Sequence, residues 1–365
     1  MDLIVPAIPT PLIEFHRENG AKIATWFGCA LPDDFGDWLK EYAFVRETVA
    51  LLDKNYRAYL NFTGPDRVRY LNAILTNNIK GLADHQGVVS LFLNPQGQIQ
   101  AEIESYALAD VIFCVSFAMI RDRLIEGLDK FIIMDDVTLT DVTEQFGTLA
   151  LEGPRATAVV KNLLGVDVGD LREMEMRDCT LGSYACSISK RTVGGVASVE
   201  FLAKRAQLQP LWNLLLVAAR DVGGGAAGYR SLNVVRLEQG VPWFSYDFGD
   251  KQIPHEAGLQ NSHISYTKGC YTGQEIVERV RSRGHVNRTR VSLKFELKEQ
   301  PERGTPLLFD GTEVVYVTRA GFSPAAHAYI GMGYVRREKA VPESVLELKE
   351  GGTATVYAPA SSPSG

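Results

Sequence analysis

The hydrophobic and polar positions of this chain fall into a pattern that occurs twice. Ala58-Tyr59-Leu60-Asn61-Phe62 reads as a strand. Thr63-Gly64-Pro65-Asp66 then opens a helix, with Pro65 early in the first turn and Asp66 favoured by the helix dipole. Val68, Leu71, Ile74 and Leu75 form its apolar face. Asn94-Pro95-Gln96-Gly97 is a turn between strands Val88–Leu93 and Gln98–Ala107. A further strand, Val111–Phe117, leads to a helix over Arg121–Phe131. The arrangement recurs 89 residues on. Thr148–Glu152 is a strand, Gly153-Pro154 opens a helix, and Val160, Leu163 and Leu164 take the places of Leu71, Ile74 and Leu75. Two related α+β units are expected.

Residues 1–45 mix prolines, Trp26, Trp38 and short polar runs, and read as an arm with little sustained periodicity. A helix is expected over Gln207–Asp221, followed by a flexible linker turn, Gly223-Gly224-Gly225-Ala226-Ala227-Gly228. That run has no phosphate-loop lysine and no GxGxxG spacing. From Arg290 the character changes. Strand-like runs at Val291–Phe295, Glu313–Thr318, Tyr329–Val335 and Ala354–Tyr357, separated by Gly and Pro turns, suit a small antiparallel barrel. The division that follows is an arm over 1–45, α+β units over 46–145 and 146–288, a barrel over 289–357 and a disordered tail over 358–365.

Length and composition narrow the class. A chain of 365 residues exceeds the roughly 250–300 at which single cores stop growing, so two or three domains are expected. Hydrophobic content of 45% and charged content of 22% are those of a globular protein. The net charge of -6 gives no global drive toward nucleic acid. The five cysteines are scattered, odd in number and without zinc spacing, which points to reduced thiols in the cytoplasm. The N-terminus lacks a basic region and a long apolar core, which argues against a secretory signal. No apolar run approaches the roughly 18 residues that span a bilayer, so no membrane partner is expected.

The densest chemistry lies in Lys268-Gly269-Cys270-Tyr271-Thr272-Gly273-Gln274-Glu275. The glycines let the backbone bend and approach another group closely. Lys268 is near enough in sequence to Cys270 to favour its thiolate, the reactive form. Gln274 and Glu275 add hydrogen-bonding groups of opposite character. The competing reading of the segment is a loop around a buried, inert cysteine. Arg236-Leu237-Glu238-Gln239-Gly240-Val241-Pro242 reads as a helix end stopped by Gly240 and Pro242, from which Arg236 and Glu238 could both face a cleft. Ile253–Leu259 starts a short helix with Glu256 serving its first turn. Arg279, Arg281 and Arg283 alternate at period two, so on a strand they share one face, fit to hold the carboxylates of an anionic ligand or a phosphate backbone. The same stripe is also what a charged edge strand looks like. The six histidines are dispersed, without an HxxxH pattern, and read as surface or satisfied core residues.

Several segments resemble motifs of the glycine cleavage T-protein superfamily, in its order: Phe62-Thr63-Gly64-Pro65-Asp66, Leu75-Thr76-Asn77-Asn78, Leu151-Glu152-Gly153-Pro154 and Arg236-Leu237-Glu238-Gln239-Gly240. The stretch Lys268–Glu275 is similar to the signature of the YgfZ-type folate-binding proteins of that superfamily, which are proposed to use tetrahydrofolate in supporting iron–sulfur enzymes. The resemblance implies a cloverleaf: two α+β domains, each an antiparallel sheet with helices, and a C-terminal antiparallel β-barrel, set around a central folate cavity. It implies tetrahydrofolate or a one-carbon-substituted folate as cofactor. Its partners would be folate and iron–sulfur enzymes or their assembly factors, tRNA-modifying ones included. For the pterin, Glu238 or Glu102 could accept its adjacent N–H groups. Tyr106, Tyr271 or Trp243 could wall its rings, and the arginine stripe could hold the glutamate tail.

The departures from the family pattern bear on activity. True aminomethyltransferases resemble Gly-Gly-Ile-Ile-Asp-Asp-Leu where this chain has Gly97-Gln98-Ile99-Gln100-Ala101-Glu102-Ile103, so Ala101 stands in place of the catalytic aspartate. On a strand Glu102 points to the opposite face. The Gly-Tyr-Thr-Gly-Glu segment is altered to Val193-Gly194-Gly195-Val196-Ala197. The expectation is a cytoplasmic folate-binding protein of the YgfZ type with Cys270 as the functional thiol, Lys268 tuning it, and Gln274 and Glu275 shaping its surroundings. The rivals are a glycine-cleavage aminomethyltransferase and an RNA-binding module using the arginine stripe.

Overall fold

The computed structural model describes residues 6–165, 168–193, 196–349 and 351–357. They form two compact units. One takes the described parts of Met1–Ala73, Asn78–Ser90 and Glu102–Leu232; the other takes Ile74–Asn77, Leu91–Ala101 and the described part of Asn233–Gly365.

The first unit opens with a small sheet rather than an irregular arm. β1 (Ile8–Pro9), β2 (Lys22–Trp26) and β3 (Cys29–Asp34) lie in the order β1-β3-β2, with helix α1 (Ile13–Glu18) between β1 and β2 and helix α2 (Trp38–Glu47) after β3. β2 and β3 form an antiparallel hairpin, across which the Trp26 indole N–H donates to Asp33 over 3.1 Å.

Next comes the repeat. After β4 (Ala50–Asp53) run β5 (Arg57–Thr63), α3 (Arg67–Ile74), β6 (Gly87–Leu93), β7 (Ile99–Leu108), β8 (Val111–Phe117) and α4 (Arg121–Asp129). After β9 (Thr138–Asp141) run β10 (Phe146–Glu152), α5 (Ala156–Leu164), β11 (Met176–Leu181), β12 (Tyr184–Val193), β13 (Val196–Lys204), α6 (Leu208–Asp221) and β14 (Gly225–Ala226). The sheets have orders β6-β7-β8-β5-β9 and β11-β12-β13-β10-β4-β14. Each takes in the strand that leads into the other repeat: β4 pairs antiparallel with β10, and β9 with β5. The halves thus exchange their leading strands. The exchange explains the glycine of each Gly-Pro helix start. A Cβ on Gly64 would lie 2.2 Å from the Asp136 carbonyl oxygen, just before β9, and one on Gly153 would lie 2.5 Å from that of Thr48, just before β4. Only a residue without a side chain lets the chains cross that closely. The glycine-rich run after α6 is no free linker: Gly224, Gly225 and Gly228 are buried, and β14 pairs parallel with β4.

One face of the six-stranded sheet is apolar. Leu149, Leu151, Val199 and Phe201 pack with Val159 and Val160 of α5 and with Leu208, Leu211, Trp212 and Leu215 of α6. Alternation along the strands puts Glu152, Arg191 and Glu200 on the other face, where they join a buried ion network.

The second unit holds the end of α7 (Tyr229–Glu238), α8 (Pro254–Ala257), α9 (Gln274–Arg283) and a closed barrel. Its strands are β15 (Arg288–Glu296), β16 (Pro306–Phe309), β17 (Thr312–Ser323), β18 (Ala328–Arg336), β19 (Val345–Leu348) and β20 (Thr353–Tyr357), closed in the order β15-β18-β17-β16-β19-β20 with every observed pairing antiparallel. Leu293, Phe295, Leu307, Val317, Val335, Leu346 and Val356 fill it. The sequence reading anticipated four of these strands and missed β16 and β19, four residues each.

The arginine stripe is corrected by α9. Arg279, Arg281 and Arg283 lie on a helix, where residues two apart are about 200° apart around the axis and share no face. Glutamine, glutamate and arginine are good helix formers, and buried Val277 with half-buried Val280 supplies the i, i+3 apolar stripe. Arg279 pairs with Glu275 over 2.7 Å and Arg281 with Glu278 over 3.3 Å, so their charges are spent along the helix itself. The altered Gly-Tyr-Thr-Gly-Glu segment falls partly at residues 194–195, and the tail over 358–365 entirely, outside the described residues.

Candidate functional site

The signature segment Lys268–Glu275 is an irregular loop that becomes the first turn of α9. Two anchors hold it within the second unit. At one end, the Lys268 amine donates to the Leu75 carbonyl and lies over the Tyr271 ring, 5.1 Å from its centroid. At the other, Gly273 caps α9 with φ 80 and packs against the turn at Asn94–Gly97. The loop just before the signature is stitched to the same short segment as Lys268. Thr76 Oγ1 donates to the His263 carbonyl over 2.6 Å and accepts from the Leu91 N–H over 2.8 Å, while Ser265 N–H donates to the Thr76 carbonyl over 3.1 Å. Two sequence motifs far apart in the chain, Leu75-Thr76-Asn77-Asn78 and Lys268–Glu275, are therefore one structural feature.

Burial sets the chemistry of this loop. The partly desolvated Lys268 amine has its pKa brought down to about 8, so about a tenth of it is neutral near pH 7, far more than for a free lysine. Cys270 is exposed, which removes the reading of a buried, inert thiol. Tyr271 is 6% exposed, and among the described residues its hydroxyl finds no hydrogen-bond partner. A buried phenol without a partner is costly. It is a ready donor or acceptor for a bound molecule. Gln274 is half-buried at the start of α9, and Glu275 is exposed and paired with Arg279.

A second cluster in the same unit surrounds Arg236, which is buried rather than open to a cleft. Its guanidinium pairs with Asp247, donates to Asn233 Oδ1 over 2.9 Å and to the Val241 carbonyl over 3.2 Å, and stacks over Trp243 at 4.7 Å. Asp247 also accepts from the Trp243 N–H over 2.9 Å and from Thr318 Oγ1 over 2.6 Å. Half-buried Arg290 donates to the Ala257 and Gly240 carbonyls, each over 3.0 Å, and Arg319 stacks over Tyr246 at 4.9 Å. Burial lowers the pKa of both Arg236 and Arg290. Arg290 and Arg319 add to the repulsion that Arg236 feels, and Asp247 is the carboxylate that offsets it. Glu238 lies half-buried at the end of α7 and accepts from Ser323 Oγ over 2.6 Å.

The two remaining expected residues lie in the first unit. Tyr106 is 1% exposed and packs in a core with Tyr59, Phe113 and Met174, so its side chain serves packing rather than a ligand wall. Glu102 is half-buried on β7, and Ala101, fully buried, faces the other way as strand alternation requires. Beside them runs the ion network that sequence reading did not find. Lys54 pairs with Glu152 and Glu200, Arg57 binds Glu200 through two hydrogen bonds of 2.7 and 2.8 Å, and Arg191 pairs with Glu104 over 2.5 Å. No local pattern marks these residues, because they meet across five strands and the β4–β5 turn.

Reciprocal exchange of leading strands between two α+β halves, followed by a closed six-stranded barrel, defines the architectural class. The model of the GCVT N-terminal domain matches residues 12–264, and that of the glycine cleavage T-protein C-terminal barrel domain matches residues 288–363. The chain belongs to the glycine cleavage T-protein family. It is 26% identical over 342 residues to the aminomethyltransferase of Halothermothrix orenii, covering 93% of this chain and 94% of that protein. To the aminomethyltransferase of Clostridium botulinum strain Loch Maree it is 25% identical over 331 residues, covering 90% and 89%. The crystal structure of glycine cleavage system aminomethyltransferase T from Bartonella henselae superposes with a TM-score of 0.85 at 23% identity over 96% of both chains, which shows a shared fold.

Proposed function

We propose that this protein binds tetrahydrofolate or a one-carbon-substituted folate and acts in the manner of the YgfZ-type proteins, supporting iron–sulfur enzymes through Cys270. The observation that carries the reading is the exposed Cys270, held on a loop anchored by Lys268 at one end and Gly273 at the other. A loop fixed at both ends presents its thiol in one place instead of letting it sweep through many. The partly neutral Lys268 amine, two residues away, is a base able to take the Cys270 proton.

The residues present suit a folate. The unpartnered Tyr271 hydroxyl is one polar contact, the Trp243 ring is an aromatic wall, and Glu238 is the acceptor for pterin N–H groups. Arg290 and Arg319, beside the Arg236–Asp247 pair, replace the arginines of α9 as the cations for an anionic tail. When bound, the folate supplies one-carbon chemistry; Cys270 supplies a thiol and Lys268 a proton acceptor. Ala101 in place of an acid leaves nothing at that position to organise a proton. The active compartment we propose is the cytoplasm, with functional divisions at about residues 45, 145 and 288.

A second reading, aminomethyl transfer to tetrahydrofolate, is favoured by relatives that bear that name over nine-tenths of the chain. The two separate in one pair of assays. Tetrahydrofolate binding without turnover of an aminomethyl-lipoyl carrier, together with loss of iron–sulfur enzyme activity in cells carrying Cys270→Ala, is the expected result. Brisk turnover, or full cellular support by Cys270→Ala, would overturn the proposal.

A further inference from the structure

We propose that Cys179 and Cys186 form a reversible redox pair, closed to a disulfide by a peroxide and reopened by a thiol reductant. The two residues are directly opposed in the register of β11 and β12, and their sulfurs lie 3.4 Å apart. Opposed residues in an antiparallel pair have Cα atoms about 4.5 or about 5.5 Å apart, and both values fall in the range a disulfide spans. The bond therefore closes by side-chain rotation, without movement of the strands.

Surroundings divide the labour between the two sulfurs. β11 is the edge strand of its sheet, and Cys179 is half-buried there, within reach of a small oxidant. Cys186 is buried against Ile188 and the core under α5, so it is placed to resolve rather than to attack. The hydrogen bond between them holds the Cys179 thiol below its usual value and raises Cys186. Burial pushes the thiols of Cys29 and Cys114 up to about 12, which leaves them inert.

The steps balance with hydrogen peroxide as oxidant. The Cys179 thiolate attacks one peroxide oxygen; an S–O bond forms, the O–O bond breaks and hydroxide leaves, giving the sulfenic acid. Cys186 gives up its proton to that hydroxide, and its sulfur attacks Cys179. The S–S bond forms, the S–O bond breaks, and the oxygen departs with a proton as a second water. The two thiols lose two electrons and two protons, and the peroxide becomes two waters. A dithiol reductant reverses the change by exchange, ending as its own disulfide.

The test uses the full reduced chain and a small molar excess of hydrogen peroxide, followed by alkylation in denaturant. Trypsin cuts after Arg177 and Lys190, so both cysteines fall on one peptide, Asp178–Lys190. The expected result is that this peptide loses two hydrogen atoms and resists alkylation until dithiothreitol is added, in wild type and in Cys270→Ser alike. Cys186→Ser is expected to halt at a Cys179 sulfenic acid that dimedone captures. Two alkylated cysteines on that peptide under conditions that oxidise exposed Cys270, or disulfide-linked dimers through Cys179, would overturn the proposal. The wild-type mass measurement decides the matter even where a variant folds poorly.

Discussion

Gly273 and Gly97 face each other where the first turn of α9 meets the turn between β6 and β7. A Cβ on Gly273 would lie 3.3 Å from the Gly97 Cα and 2.7 Å from the Asn94 carbonyl oxygen, while one on Gly97 would lie 2.9 Å from the Ile276 Cβ. Both glycines have positive φ, 80 and 74. The signature loop is thus seated by two absent side chains.

Gly273→Ala incurs two costs: about 1–2 kcal/mol for a left-handed backbone, and about 1–3 kcal/mol for overlap with backbone that has no room to yield. Gly284→Ala separates the two, since Gly284 has φ 79 with open space around it. Urea denaturation is expected to rank the variants wild type, Gly284→Ala, Gly273→Ala in falling stability. Equal losses for the two variants would mean that the close approach to Asn94 carries no weight.

Lys268 offers a titration. With a pKa near 8 it is expected to react with acetic anhydride with a midpoint near pH 8, whereas exposed lysines follow a midpoint of about 10.4. The sign for stability follows. Below about pH 8 the folded protein must hold a partly desolvated charge; above it, the unfolded chain binds the extra proton until about pH 10.4. This group alone therefore makes stability rise with pH across that window. Lys268→Met is expected to lose that rise, and an unchanged alkaline profile in the variant would count against the assignment.

The parts legible in sequence are those fixed by local pattern. The strand–Gly-Pro–helix starts at Gly64 and Gly153 were visible because a turn residue and an apolar stripe sit side by side in the chain. The exchange of β4 and β9 was not, because pairing partners leave no trace in either strand. At the site, the octapeptide stood out by its residue types, but its attachment to Leu75 and to the Asn94–Gly97 turn lay beyond any local signal. Period two in Arg279, Arg281 and Arg283 misled because three charges on a helix can mimic alternation; buried Val277 was the better guide. Asp247 carried no mark at all. Its role comes from Arg236 and Thr318 meeting it in space.

Acid sensitivity is expected to centre on Glu200. Burial by itself would raise this carboxyl, but Arg57, Lys54 and Arg191 outweigh it and hold the group well below the usual carboxylate range. A depressed carboxylate stabilises the fold above its unfolded pKa, about 4.3, and the stabilisation drains away as pH falls below that value. Glu200→Gln removes the charge that Arg57 and Lys54 share, at a cost of about 3–5 kcal/mol at neutral pH. Its stability is expected to vary less than wild type below about pH 4.3. Parallel acid profiles for the two proteins, by circular dichroism, would refute the role.

Asp247 is the sharpest single point of failure in the second unit. Its carboxylate accepts from the Arg236 guanidinium, the Trp243 N–H and the Thr318 hydroxyl, and is the carboxylate offsetting a cluster of three arginines. Asp247→Ala leaves the buried Arg236 charge uncompensated, while the Thr318 hydroxyl keeps the Met332 carbonyl as acceptor over 3.1 Å, so the loss of about 3–5 kcal/mol that is expected comes from the unpaired guanidinium. Removing both charges is a different matter. Arg236→Met with Asp247→Leu removes the buried pair together, and apolar replacement of a buried pair is often neutral or stabilising by about 1–4 kcal/mol. The double variant is therefore expected to recover most of the stability lost by Asp247→Ala. It would also lack one of the three guanidiniums. If Arg290 and Arg319 carry the anionic tail of a folate, the double variant keeps its affinity for a polyglutamylated folate within a few-fold. A double variant as unstable as Asp247→Ala would show that the cost lies in lost shape rather than in the unpaired charge of Arg236.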